Sequence, residues 1–303
     1  MDLSIKAIDC VVNPITPEIM ATRPAWSKTF WTQKIGRKTD DLMGLTHDKM
    51  LEAMDAAGIE RSFLLAVKIG RLGLPGSWHL PYEVVADAVQ KYPDRFYGVA
   101  GIDPTQGMQG VRDFERSVRE YGFIGAHGYP HWFDLAPDHP RWYPFYAKCC
   151  ELDVPIQLQV GQSLNYTAEQ RLPSVGRPIT LDAVACDLPE LKLIGIHVGI
   201  PWTDEMISMA WKHENVFIGG DAYAPKHWPK QLIHYANTYG QDKFLFGTDW
   251  PVIDPERAMR EVEEHNYRPE PKQKILRDNA IKLFGLPKSG IKGWNHKNPY
   301  ADL

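Results

Sequence analysis

The sequence predicts a single (β/α)8 TIM barrel with long loops after strands 1 and 5. Three observations lead there. Eight short apolar, β-branched runs recur along the chain, and amphipathic helical stretches stand between them. After the first run comes Asp9-Cys10-Val11-Val12-Asn13-Pro14, where the competing doubly wound open sheet would carry a glycine-rich phosphate loop. Eight strand–helix alternations close most simply into a barrel, and its active site then lies at the C-terminal ends of the strands.

The first strand is expected at residues 5–12, an apolar run broken by Asp9. Thr46-His47-Asp48-Lys49 opens the next helix, with Thr46 as a capping residue for its exposed N–H groups. The second strand follows at 61–67 (Arg61-Ser62-Phe63-Leu64-Leu65-Ala66-Val67), and Pro81-Tyr82-Glu83-Val84 begins a helix because proline's fixed φ suits a first turn. The third strand, 96–102, is followed by a helix over 108–121. The fourth, 123–129, precedes a helix starting near Trp142. The fifth, sixth, seventh and eighth fall at 156–160, 192–198, 216–220 and 244–248, with helices starting near Pro178, Thr203, Trp228 and Pro255. Residues 1–286 form the barrel in this reading. Residues 287–303, rich in Lys, Asn, Gly and Pro, form a C-terminal arm without a core of its own.

Two connections exceed a minimal loop, 13–45 and 162–177, and long loops at the catalytic face of a barrel make lids and specificity walls. The first carries Arg23, Trp26, Phe30, Trp31, Lys34 and Arg37, a mixture suited to covering an anionic or aromatic ligand, or to packing on the barrel or a neighbouring subunit.

A chain of 303 residues, 44% hydrophobic and 24% charged, has ordinary globular composition, and its net charge of −4 leaves no broad cationic surface for nucleic acid or an anionic membrane. No secretion signal or apolar run of membrane-spanning length stands out. The expected partner is a small-molecule substrate, with no nucleic acid and no membrane, in a cytoplasmic homodimer. Cys10, Cys149, Cys150 and Cys186 lack CxxC or Cys/His spacing and read as reduced thiols.

The chemistry is expected at the strand ends. Asp9 and Asn13 stand near the first, His127 and Tyr129 on the fourth, and Gln159 and Gln162 at the fifth. His197 ends the sixth, Asp221 the seventh and Asp249 the eighth. A carboxylate presented there can take a proton from water, and an imidazole can polarise or protonate a substrate oxygen. Asp249 and His197 make the best acid–base pair, with His127 as the third catalytic candidate. Asn13, Tyr129, Gln159, Gln162, Arg177, Trp202, Asp221 and Trp31 are the candidate substrate contacts. Arg177, Arg23 and Lys68 are candidate carboxylate clamps, although each could instead serve a surface ion pair.

The segments Leu193-Ile194-Gly195-Ile196-His197-Val198-Gly199-Ile200-Pro201-Trp202 and Phe244-Leu245-Phe246-Gly247-Thr248-Asp249-Trp250-Pro251 resemble the amidohydrolase-related family. That family includes aminocarboxymuconate-semialdehyde decarboxylase and the resorcylate-type decarboxylases, together with hydratases and lactonases. Gly122-Phe123-Ile124-Gly125-Ala126-His127 and Pro155-Ile156-Gln157-Leu158-Gln159-Val160-Gly161 support the resemblance, which runs from about residue 5 to 286. The family pattern places Asp-x-His-x-His on the first strand and uses the sixth-strand His and eighth-strand Asp around a divalent metal. Here the first motif reads Asp9-Cys10-Val11-Val12-Asn13, so both histidines are gone and only His197 and Asp249 remain. Valine cannot ligate, and Asn and Gln amides are poor donors to zinc. No tightly bound metal is therefore expected. A residual divalent ion, Zn or Mn, would have to recruit His127 or Asp221.

Without a metal to acidify water, plain amides become poor substrates, and chemistry with a built-in electron sink remains feasible. The resemblance implies a carboxy-lyase acting on a small activated ring or unsaturated carboxylic acid in catabolism. In it His197 or His127 supplies the proton that replaces CO₂ and Asp249 orients it. The alternative is a metal-independent hydrolase of an activated lactone, ester or C–C bond, with Asp249 as general base. A barrel that binds a ligand without turning it over is the third possibility. Kept acid–base residues at the catalytic positions argue against it, since a buried carboxylate is costly to retain.

Overall fold

The computed structural model describes residues 4–39, 42–168 and 170–287. Eight parallel strands form one sheet: β1 (Ala7–Val12), β2 (Ile59–Ala66), β5 (Phe96–Ile102), β6 (Gly125–Gly128), β7 (Ile156–Gln159), β8 (Leu193–Ile196), β9 (Val216–Gly219) and β10 (Phe244–Leu245), hydrogen-bonded in that order. The sheet closes on itself. Cys10 N–H donates to Phe246 O at 3.1 Å, Asp249 N–H to Val11 O at 2.8 Å and Asn13 N–H to Trp250 O at 2.8 Å, which joins the last strand to the first. These bonds decide for the barrel over the open sheet, because an open sheet would leave the β1 edge without a partner on that side.

The interstrand helices arise where expected, and the expected strands agree with the observed ones to within a few residues. Thr46 caps the helix His47–Ala57 by accepting from Lys49 N–H, and Asp254 does the same from Arg257 for Pro255–Glu263. The helix Gly107–Tyr121 buries Val111, Phe114 and Val118, spaced by three and four residues, and turns its charged face outward. Such a stripe stabilises strongly, since each fully buried apolar side chain contributes about 1.5–3 kcal/mol. The eighth strand is shorter than expected. After Leu245 the chain leaves β9, and Phe246 N–H goes to Ile275 O.

Two features were not anticipated. The long connection after β1 is largely helical, with helices Pro17–Ala21 and Ala25–Thr29 running into a π-helical turn Phe30–Lys34. A two-stranded antiparallel ribbon, β3 (Lys68–Ile69) with β4 (Trp78–His79), follows β2. Two residues per strand are too few for alternation to register in a sequence. Of the expected arm 287–303, only Pro287 lies within the described residues; its carbonyl accepts from Arg61 Nη1 at 2.8 Å. No helix among the described residues is long and apolar enough to cross a membrane.

Candidate active site

The C-terminal ends of the strands surround a cavity that opens to solvent. Of the residues singled out from the sequence, Asn13, Trp31, His127, Tyr129, Gln159, Gln162, His197 and Asp249 line it. The loops 13–45 and 162–177 both contribute walls, through Trp26 and Phe30 from the first and Leu164 and Asn165 from the second.

His127 owes its state to strand register. His127 on β6 pairs with Gln157 on β7, so both side chains point into the barrel, and His127 Nδ1 lies 3.1 Å from Gln157 Oε1. Gln157 spends its amide N–H₂ on Cys10 O at 2.9 Å. Its oxygen therefore faces His127, whose Nδ1 carries the proton. His127 Nε2 is left with a lone pair, buried and without a partner. Burial lowers the pKa of His127 to about 4, against a smaller opposing effect of Gln157, so the ring is a neutral acceptor. Tyr129 stacks on it with ring centroids 4.5 Å apart, and its buried hydroxyl also lacks a partner.

His197 is shifted the other way. Its Nε2 lies 3.3 Å from Asp221 Oδ2, within ion-pair range but not aligned as a hydrogen bond. Burial disfavours charge on the ring, but Asp221 and then Asp249 outweigh it and raise the pKa above the usual value. Asp221 does not line the cavity; it is fully buried behind His197, and its Oδ1 accepts the His197 backbone N–H at 3.2 Å. That bond helps hold His197 at φ +67°. Val198 beside it is at +60°, Ala222 at +64° and Asp249 at +53°, so four left-handed non-glycine residues gather near this mouth. Each costs about 1–3 kcal/mol and persists only because its surroundings over-determine it, a pattern typical of functional sites.

Asp249 is fixed from β1. Its Oδ1 accepts from Asn13 Nδ2 at 2.7 Å, and burial raises its pKa to about 7, with His197, Asn13 and Arg23 opposing the shift. Gly247 makes room for this: a Cβ there would come within 3.0 Å of Asp221 Cβ. Asp9, also raised to about 7 by burial, is a brace. It accepts from Thr248 N–H at 2.9 Å and from the Thr248 hydroxyl at 2.6 Å, and so latches the eighth strand to the first.

Arg177 and Trp202 do not reach the cavity. The Arg177 guanidinium pairs with Glu205 and stacks 5.3 Å above Trp202, so each consumes the other's binding potential. Lys68 likewise lies over the Tyr82 ring at 4.3 Å, outside the cavity. Among the three clamp candidates, only Arg23 is brought to the site. Trp132 went unnoticed in the sequence, although Tyr129-Pro130-His131-Trp132 just past a strand end was a usable signal; it packs on Trp26 at 4.4 Å. Gln157 was missed too, despite being a polar residue inside a buried strand.

The side chains do not fit a divalent ion. Val11 offers no lone pair, and the Asn13 amide turns its N–H toward Asp249, placing hydrogens where a metal would need that carboxylate. Among the described residues, the one group of three His, Cys, Asp or Glu side chains close enough to share an ion is Asp182, Cys186 and His213, away from the cavity and with the Lys212 ammonium on Asp182.

The fold is that of a TIM-barrel enzyme, with titratable side chains gathered at the strand ends. The chain belongs to the amidohydrolase family, whose sequence profile matches residues 8–286. It is similar to gamma-resorcylate decarboxylase from Rhodococcus jostii, 25% identical over 85% of this chain and 92% of the relative. Among solved structures, an uncharacterised TIM-barrel protein from Bordetella bronchiseptica superposes with a TM-score of 0.75 at 22% identity, covering 93% of this chain and 99% of its own. The 5-carboxyvanillate decarboxylase of Novosphingobium aromaticivorans, solved with manganese, superposes with a TM-score of 0.70 at 18% identity, covering 94% and 97%.

Proposed function

We propose that the protein is a decarboxylase of a small aromatic or unsaturated carboxylic acid bearing a hydroxyl beside its carboxylate, and that it works without a bound metal. The observation that carries this reading is the pairing, in a single cavity, of an imidazole that burial keeps neutral with one that two carboxyls push toward the protonated form. His127 Nε2 accepts the substrate's hydroxyl hydrogen bond, which raises electron density on the carbon bearing the carboxylate. His197, kept protonated by Asp221 and Asp249, donates its proton to that carbon. The C–CO₂ bond then breaks, its electron pair returns to the ring, CO₂ leaves, and water reprotonates His197. A pKa near 4 leaves His127 without the proton to give at neutral pH, which favours His197 of the two histidines. The resorcylate and carboxyvanillate decarboxylases among the relatives support the choice of lyase.

A second reading has its own observation: an Asp249 carboxyl with a pKa near 7 also suits a general base that activates water toward a lactone or ester. Purified protein incubated in chelator with a panel of hydroxybenzoates, unsaturated acids and lactones separates the two. Release of CO₂ from a ring or unsaturated acid supports the lyase; hydrolysis of lactones alone removes it.

A further inference from the structure

Arg23 is the unusual residue of this cavity. Its guanidinium lies 4.4 Å from the Trp31 ring centroid and 4.2 Å from that of Trp78, held between two indoles from different segments. Trp78 is itself fixed by a 3.0 Å bond to the Thr22 hydroxyl. Arg23 Nη2 donates to Asn13 Oδ1 at 3.3 Å, and its buried Nε has no partner. Burial lowers its pKa to about 10, while Asp249 and Tyr129 oppose the change, so the group stays charged at neutral pH. A guanidinium that lines a cavity, held against two indoles and short of acceptors, is preorganised for a planar anion, because its N–H donors are what it has left to offer. Asn13 links it to the catalytic pair: its oxygen accepts from Arg23 and its nitrogen donates to Asp249.

We propose that Arg23 supplies the fixed positive charge of this site in the place a divalent ion would take, and that it receives the carboxylate of the ligand, so that acids are selected over the corresponding neutral rings. The inference rests on the decarboxylase reading for its choice of ligand, but its test does not depend on turnover. Arg23 is a binding residue here, with Trp31 and Trp78 as its positioning residues. Those indoles also supply a fluorescence signal.

The test is a tryptophan-fluorescence titration in chelator with 2,6-dihydroxybenzoate and with resorcinol, the same ring without the carboxylate. Wild-type protein is expected to bind the acid more tightly than the phenol. In Arg23→Gln the acid should weaken by about 10–100-fold, the loss expected for a hydrogen bond to a charged group, while resorcinol changes by less than about three-fold. Arg23→Lys, which keeps the charge but not the planar fork, should fall between, and melting curves of both variants establish that they fold. Equal weakening of acid and phenol, equal affinities in the wild type, loss of acid binding in chelator, or no saturable acid binding at tens of millimolar would each overturn the proposal. Acid binding through Arg23 without CO₂ release would leave it standing and remove the decarboxylase reading, whereas CO₂ release unaffected by Arg23→Gln would do the reverse.

Discussion

Asn13 Nδ2 lies 2.7 Å from Asp249 Oδ1, a hydrogen bond between side chains 236 residues apart that stands where the amidohydrolase pattern would place a metal-binding imidazole. The bond orients the carboxylate from the first strand and leaves its other oxygen free for the cavity.

Asp249→Asn keeps the size of the side chain but removes its proton chemistry. We expect kcat to fall by about 10²–10⁴ with the unfolding midpoint little changed. Because a buried charge is lost, stability at pH 8 should hold or rise. A kcat within a few-fold of wild type, together with a lower midpoint, would assign Asp249 to bracing alone.

In the proposed reaction Asp221 acts through His197, and its signature is a pH profile. His197 must be protonated to donate, so activity should fall on the alkaline side as the imidazolium is lost. Asp221→Asn removes the carboxylate beside Nε2 and should move that limb to lower pH by about one unit. An unshifted limb with a uniformly lower rate would mean that Asp221 only supports the backbone at His197.

His127 makes the folded protein sensitive to acid. Its pKa is about 4 in the fold against about 6.5 unfolded, so its contribution is fully present above 6.5 and lost as pH falls toward 4. Asp9 and Asp249 work in the opposite direction, since carboxyls raised to about 7 contribute stability below about 4 that is lost as pH rises through 7. In denaturant melts, His127→Gln should reduce the stability lost between pH 7 and 4.5, by about 1–3 kcal/mol relative to wild type. Equal losses in both proteins would place the His127 proton elsewhere.

Elemental analysis of purified protein should find well under one divalent ion per chain, and chelator should leave activity intact. Stoichiometric Zn or Mn, with activity lost on its removal, would overturn the metal-free reading and make His127 and Asp221 the ligand candidates to mutate first.

The barrel was legible because its signals are local. Apolar runs with turn residues between them, and helix starts such as Thr46 and Pro255, are set by period and capping within a few residues. The strand-end residues His197, Asp221 and Asp249 could be found for the same reason, as polar groups that close apolar runs. Arg177 and Trp202 show the limit of that method. Arg177 closes the long loop after the fifth strand and Trp202 follows the sixth closely, yet the guanidinium finds Glu205 and the indole at shorter range than any ligand.

By itself, then, the sequence determined the eightfold alternation, the polar residues that close the strands, and the absence of imidazoles at positions 11 and 13. Only the tertiary structure decided which of three basic residues enters the cavity, and which of two histidines is pushed toward the charged form. Those outcomes depend on neighbours brought in from other strands and loops: Trp78 and Trp31 around Arg23, Gln157 beside His127, and Asp221 behind His197. Burial and charge act through space, and distance along the chain carries almost no information about either.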